Sequence, residues 1–229
     1  MKLVWSPDCA LKAYMHTVKS SENCKESGVP ELLSAMAAGW NAKLIVESWS
    51  HGSPIATSIG LAVAANHTCG RHVCLVPDER SRLEYVKAMQ SNGMMSPETT
   101  EVVITGESEE VAATLVGIDF MVVDCKRREF IRVLRYAKLS NKGAVLVRKN
   151  AYQTCFSGFK WHGVLERGTR VVRSVFLPVG NGLDIAHIGG NTNSTAASGS
   201  GGGNLKKSSR SRWIKCVDQK SGEEHVFRG

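Results

Sequence analysis

The sequence predicts an α/β protein: a doubly wound, mostly parallel sheet with a C-terminal antiparallel hairpin. Three observations predict it. Strand-type and helix-type patterns alternate five times between Lys43 and Arg148, as parallel sheets covered on both faces require. The stretch Lys43–Asn66 reads as strand, tight polar loop and helix, the unit that places a ligand loop against a helix N-terminus in open α/β sheets. Two β-type runs, Thr169–Val179 and Leu183–Ile188, are separated by Gly180-Asn181-Gly182, a spacing suited to a hairpin with positive-φ residues in its turn.

The elements follow in order. Ser6-Pro7-Asp8 starts a helix over Cys9–Val18, with Leu11, Tyr14, Met15 and Val18 spaced for one apolar face. Pro30 opens a second helix, Glu31–Ala38, and Gly39 follows as its terminator. Leu44-Ile45-Val46 is a short β-branched run ending at Glu47. Ser53 is placed as N-cap and Pro54 as first residue of the next helix, whose Ile55, Ile59, Ala62 and Val63 recur on one face. Arg71–Val76 is the second strand, and Asp78 caps a helix over Glu79–Asn92 with Leu83, Val86 and Met89 as its stripe. Glu101–Thr105 is the third strand. A helix over Glu109–Val116, a strand over Ile118–Asp124, a helix over Arg127–Leu139 and a strand over Gly143–Arg148 complete the alternation. In the helix after Asp124, Phe130, Leu134 and Ala137 face inward while Arg128, Arg132 and Arg135 face out.

The domain organisation expected is an α/β domain over residues 1–190, a flexible linker over 191–211, and a basic segment over 212–229 that forms a hairpin or a docking peptide. Asn191–Gly203 contains only Asn, Thr, Ser, Ala and Gly, which cannot bury a core. Trp213, Ile214, Val217, Val226 and Phe227 flank a Gln219–Gly222 turn.

Composition limits the classes. The 229 residues are 42% hydrophobic and carry a formal net charge of +8. Half of that charge sits in the last 26 residues, with seven basic and three acidic side chains. A solvated tail is the expected reading; nucleic-acid contact is the lesser one. No apolar run approaches the roughly 20 residues that span a bilayer, so no membrane insertion is expected. The seven scattered cysteines lack a C-x-x-C pair and read as reduced thiols of a cytoplasmic or nuclear protein. His67, Cys69, His72 and Cys74 do not have the spacing of a structural zinc site.

The residues also carry a resemblance. Asn41–Glu47, Val73–Asp78, Ile118–Asp124 and Leu177–Leu183 resemble, in order, the motifs of class I S-adenosylmethionine-dependent methyltransferases with a Rossmann-like sheet. Within that class the chain is similar to the small plant catechol and caffeoyl-CoA O-methyltransferases over about residues 28–190. As a whole it resembles a plant family of unknown function assigned to that superfamily. The resemblance implies S-adenosylmethionine as cofactor, with Glu47, Ser48, Trp49, Gly52, Ser53, Asp78 and Glu107 at its site, and Asp124 and Lys149 as residues of substrate chemistry. His51 stands in the same loop as a lesser candidate.

Departures from the pattern set the expectations. Trp49 and Ser53 stand at glycine positions of the cofactor loop, and Val76 stands where a carboxylate would chelate the ribose. Asp124 matches a metal-liganding aspartate, but the Asp-Asn pair after the fifth strand is here Lys149-Asn150. Lysine is a poor neighbour for a hard divalent cation that needs several oxygen ligands. The expectation is a methyltransferase-like protein with weak or lost cofactor binding, no metal, and an unknown small-molecule or protein partner. The alternatives are a pseudoenzyme acting as a binding module and a basic RNA-associated protein, the last without aromatic stacking platforms.

Overall fold

The computed structural model describes residues 5–22, 24, 28–94, 100–105, 115–125, 130–153, 159–190, 213–217 and 224–228. The chain divides into two units, Met1–Thr192 and Asn193–Gly229. In the second, β10 (Trp213–Val217) and β11 (Glu224–Arg228) pair as an antiparallel hairpin. The expected linker over 191–211 lies outside the described residues, as do Glu107 and positions 109–114 of the helix expected over Glu109–Val116.

The first unit is built on a seven-stranded sheet. Its strands are β1 (Leu44–Ser48), β2 (Arg71–Val76), β3 (Thr100–Ile104), β5 (Phe120–Asp124), β7 (Gly143–Lys149), β8 (Val171–Leu177) and β9 (Leu183–Gly189), in the order β3-β2-β1-β5-β7-β9-β8. Strands β1, β2, β3, β5 and β7 pair in parallel, while β9 is antiparallel to both β7 and β8. The hairpin therefore forms, but its reversed strand is interior and the edge strand β8 runs with the parallel set. Burial explains the insertion: Leu183, Ile185, Ala186 and Ile188 of β9 are buried, whereas Val172 and Phe176 of β8 are exposed.

Helices cover both faces. On one lie α1 (Pro7–Ser20), α2 (Val29–Gly39), α3 (Ala56–Thr68) and α4 (Glu79–Ser91); on the other lie α5 (Phe130–Tyr136) and the short α6 (Trp161–Val164). Residues Ile45, Phe120, Val122, Val145 and Val147 meet Leu33, Ala37 and Leu61 on the first face. Val46, Val73, Met121, Val123 and Leu146 meet Leu134 and Trp161 on the second, the alternation that a strand's period of two dictates.

Several local expectations change. The stripe Leu11, Tyr14, Met15 and Val18 of α1 faces solvent, and Ala10, Ala13 and Thr17 are the buried residues. Small residues win there because they allow close approach: the Thr17 hydroxyl reaches Ser34 Oγ of α2 at 2.8 Å. The same closeness governs α3, which is buried through Ala56–Ala65 rather than along one face. A Cβ at its Gly60 would stand 2.7 Å from the Pro30 carbonyl oxygen. In α4 the buried residues are Ser81, Tyr85 and Met89, and Leu83 is exposed.

Ser53 does not cap α3, whose helical turns begin at Ala56; its amide instead donates to the Ser50 carbonyl at 2.9 Å. The fourth strand is broken at Asp119, which separates β4 (Val116–Ile118) from β5. The Asp119 carboxylate accepts the amides of Lys43 at 2.8 Å and Leu44 at 3.2 Å, anchoring the start of β1. Lys138–Leu139 forms β6, paired with β4, rather than the end of the preceding helix. Among the described residues no helix is long and apolar enough to cross a membrane.

Candidate functional site

Parallel strands deliver their carboxyl ends to one rim of the sheet, and the described residues among those predicted from sequence stand at or next to these strand ends. The loop after β1 begins at Trp49, whose amide continues the ladder by donating to the Leu75 carbonyl at 2.9 Å. The indole turns away from the rim into the layer beneath α3 and α4, with Ile59, Val76, Tyr85 and Met89. Its ring meets Tyr85 edge-on with centroids 5.4 Å apart, a favourable aromatic geometry. The volume of Trp49 is thus absorbed by the core.

The rest of this loop is tied to α4. The His51 amide donates to Ser81 Oγ at 3.2 Å, and the Gly52 amide donates to Glu84 Oε1 at 3.2 Å. The His51 ring pairs with the other oxygen of Glu84. Gly52 has φ +75°, and a Cβ there would meet nothing within 4 Å. The left-handed turn is the conformation that glycine adopts at no steric cost. Asp78 caps α4, its Oδ1 accepting the Ser81 amide at 2.7 Å. Val76, at the end of β2, is fully buried. Two backbone donors of this loop thus face Ser81 and Glu84.

Glu47 is also an inward residue, 1% exposed. Its Oε1 accepts the Tyr85 hydroxyl at 3.0 Å and lies 3.1 Å from His72 Nε2. The His72 contact falls short of a fully aligned hydrogen bond. Register explains the cluster: Glu47 pairs with Cys74 across β1 and β2, so His72, Cys74 and Glu47 share a face. Burial pushes the Glu47 carboxyl upward, but His72, the Ser58 hydroxyl and the Lys149 charge outweigh it and hold it below the usual carboxylate range. Burial and then the nearby Glu47 charge push the Cys74 thiol well up. Burial, reinforced by Cys74 and Glu47, does the same to the Tyr85 phenol. Cys74 is thereby a protonated, inert thiol.

The ends of β5 and β7 hold the third group. Asp124 and Lys149 are register partners, each 7% exposed, with Lys149 Nζ 3.9 Å from Asp124 Oδ2. Asn150 follows in the left-handed region at φ +59°, which asparagine tolerates. Its side-chain amide donates to Asp124 Oδ1 at 2.8 Å, and its own oxygen accepts Asn181 Nδ2 at 3.2 Å. Ser48 Oγ accepts the Asp124 amide at 3.0 Å, joining β1 to the group. A hard divalent ion would need oxygens converging on it. Here an ammonium stands beside Asp124, and the Asn150 oxygen is turned to Asn181. The residues do not fit such an ion.

The structure thus brings Ser48, Asp124 and Lys149 together, links Glu47 to them through the Lys149 charge, and places Gly52, Ser53 and Asp78 in the loop region on the α4 side. Sequence reading missed Tyr85, Ser81, Glu84 and Asn181, and weighed His72 only as a zinc ligand. Register and helix packing bring them to these groups, His72 from the amino-terminal part of β2 beneath the rim; the 81-85-89 spacing was the one visible signal. His67 and Cys69 lie apart from His72 and Cys74: His67 Nε2 is 3.3 Å from His16 Nδ1, and Cys69 is exposed at the end of α3.

Solved structures match most of the first unit. A methyltransferase from Geobacter sulfurreducens is 20% identical with a TM-score of 0.53, covering 78% of this chain and 88% of that one. The O-methyltransferase TomG from Streptomyces achromogenes, solved in complex with SAM, is 20% identical with a TM-score of 0.53, covering 78% and 90%. An O-methyltransferase from Bacillus cereus in complex with SAH is 15% identical with a TM-score of 0.52, covering 81% and 93%. These likenesses establish the methyltransferase-like α/β fold. No curated protein matches the chain in sequence. The family described as "protein of unknown function (DUF1442)" matches residues 1–229, and the chain belongs to it.

Proposed function

We propose that this protein is an S-adenosylmethionine-dependent methyltransferase-like protein whose degenerate loop binds the cofactor weakly or not at all. The carrying observation is the loop: the His51 and Gly52 amides are engaged by Ser81 and Glu84 rather than presented at the rim. Each hydrogen bond left unmade at a buried polar group costs about 1–3 kcal/mol. Two such losses weaken binding by roughly one and a half to four powers of ten. Any cofactor would lie along the rim between the β1 loop and Asp78, with Asp124 and Lys149 beside the acceptor. Methyl transfer needs an acceptor oriented in line with the sulfonium and relieved of its proton; Asp124 is the group placed to take that proton. The acceptor is read as a small molecule or a protein, with the catechol and caffeoyl-CoA likeness as its only guide. The protein is read as cytoplasmic or nuclear, its basic tail as solvated rather than bound to nucleic acid.

A second reading, a pseudoenzyme that binds a small ligand or a protein, is favoured by the same loop together with Lys149 at the head of the site. Calorimetric titration with S-adenosylmethionine and S-adenosylhomocysteine decides. Dissociation constants above ~100 μM are expected for both, equivalent to about 5.5 kcal/mol of binding. Binding at low micromolar concentration overturns the degenerate-loop reading and restores an ordinary cofactor-dependent enzyme.

A further inference from the structure

We propose that the Lys149 ammonium is the resident cation of this site, standing where a methyltransferase of this shape would hold a divalent metal ion and making the pocket metal-independent. The inference rests on the methyltransferase-like reading for the place of the pocket, and on three observations for its content.

The first is position. Lys149 is the last residue of β7, in register with Asp124 at the end of β5, so both side chains start from the same level of the rim. Its Nζ is 3.9 Å from Asp124 Oδ2, and both side chains are more than nine-tenths buried. The second is charge. Lys149 stands beside the Asp124 carboxylate, and its charge also reaches Glu47, on the same face of the sheet. One ammonium already offsets much of the negative charge that would attract a divalent ion to this end of the sheet. The third is donor direction. Asn150 gives Asp124 its N–H and turns its oxygen to Asn181. The amide is therefore a hydrogen-bond donor within the cluster rather than a metal ligand. A hard ion needs six or more oxygens in the case of calcium, or near-ideal octahedral oxygens in the case of magnesium. Among the described residues the cluster offers one carboxylate, already accepting a hydrogen bond, and a competing fixed charge.

The chemistry differs from that of a metal. An ammonium supplies one positive charge and three N–H donors on a flexible stem. It can hold and orient one oxygen of an acceptor and favour its ionised form, without the open coordination positions through which an ion grips two neighbouring oxygens. Lys149 is thus a positioning group for a single acceptor oxygen.

The test is a Mn2+ titration of the full chain, read by water-proton relaxation enhancement and run without S-adenosylmethionine. Its outcome is therefore separate from that of the cofactor titration. The unmodified protein should show no saturable Mn2+ site. Lys149→Asp should gain one, at least about 10- to 100-fold tighter than the non-saturating Mn2+ association of the unmodified protein, the scale on which groups around a metal act. Mg2+ should compete for it, and adding Asp124→Asn should abolish it. Lys149→Asn restores an oxygen ligand without adding charge and replaces the aspartate variant if that one fails to fold by circular dichroism. Stoichiometric Mn2+ binding by the unmodified protein that is lost in Asp124→Asn overturns the proposal. So does a folded Lys149→Asp or Lys149→Asn that gains no site.

Discussion

Arg148 and Lys149 are neighbours on β7, yet they serve opposite faces of the sheet and are held in opposite ways. Arg148, 4% exposed, donates from Nη1 to Asp184 Oδ2 at 2.8 Å and from Nε to Cys125 Sγ at 3.3 Å. Its guanidinium also lies 3.5 Å from the centroid of the Phe159 ring. The second oxygen of Asp184 accepts Trp161 Nε1 at 3.0 Å, so one carboxylate rivets β7 and α6 to β9. Lys149 is as deeply placed but lies 3.9 Å from its carboxylate. Guanidinium geometry suits a fixed fork of donors; an ammonium on a flexible stem suits a charge that must adjust to a ligand. Burial alone does not say how firmly a charge is held. The closeness and number of its partners do.

The largest expected effect breaks the Arg148 side. Arg148→Ala should destabilise the fold by roughly 3–5 kcal/mol, because it strands the Asp184 carboxylate in a largely buried pair. Chemical denaturation measures it; a loss under 1 kcal/mol would show that Arg148 is no rivet.

Tyr85→Phe comes next. It keeps the ring against Trp49 but removes the hydroxyl from a buried carboxylate, at about 1.5–3 kcal/mol. An unchanged denaturation midpoint would show that Glu47 does not depend on Tyr85.

Lys149→Met should cost less, about 1 kcal/mol at neutral pH, since no close hydrogen bond is broken and similar volume is retained. Its signature is in pH. The Glu47 carboxyl is held low in the folded state, so its contribution is present above its unfolded value of about 4.3 and is lost as pH falls through the lower folded value. Lys149 helps hold it low. Removing Lys149 should therefore move the acid-unfolding limb to higher pH, whereas Glu47→Gln should remove that limb's Glu47 component. Thermal melts between pH 3 and 7 read both. An acid limb that stays in place in Lys149→Met would separate Lys149 from Glu47.

The smallest effect is expected from Glu84→Gln. Its pair with His51 is solvent-exposed on both sides, and exposed pairs contribute about 0–1 kcal/mol. A change under ~0.5 kcal/mol in the melt is expected; a larger loss would make the loop–α4 tie part of the fold's core support.

Much of the architecture was legible in the residues. Strand–helix alternation, the Gly180–Gly182 turn and the carboxylate at the end of the fourth strand lead to the observed sheet. They do so because side-chain period and turn chemistry are local properties. Face assignments were less legible. In α1 the apolar stripe Leu11, Tyr14, Met15 and Val18 is exposed and the Ala10, Ala13 and Thr17 side is buried. Hydrophobicity marks what can be buried; it does not say which surface a neighbouring helix approaches most closely. Likewise residue type placed Trp49 at a glycine position of the loop, but where its indole goes depended on the space that Ile59, Tyr85 and Met89 leave for it.

By itself the sequence determined the α/β class, the order of its main elements, a loop after β1 that carries Trp49 and Ser53, and the lysine at the end of β7. Those follow from residue type and spacing along the chain. Only the tertiary structure decided that β9 inserts between β7 and β8, that the His51 and Gly52 amides turn to α4, and that Glu47 is shared by Tyr85 and His72. Each joins residues from separate elements, and partners at that distance are chosen by register and packing, which no local pattern records.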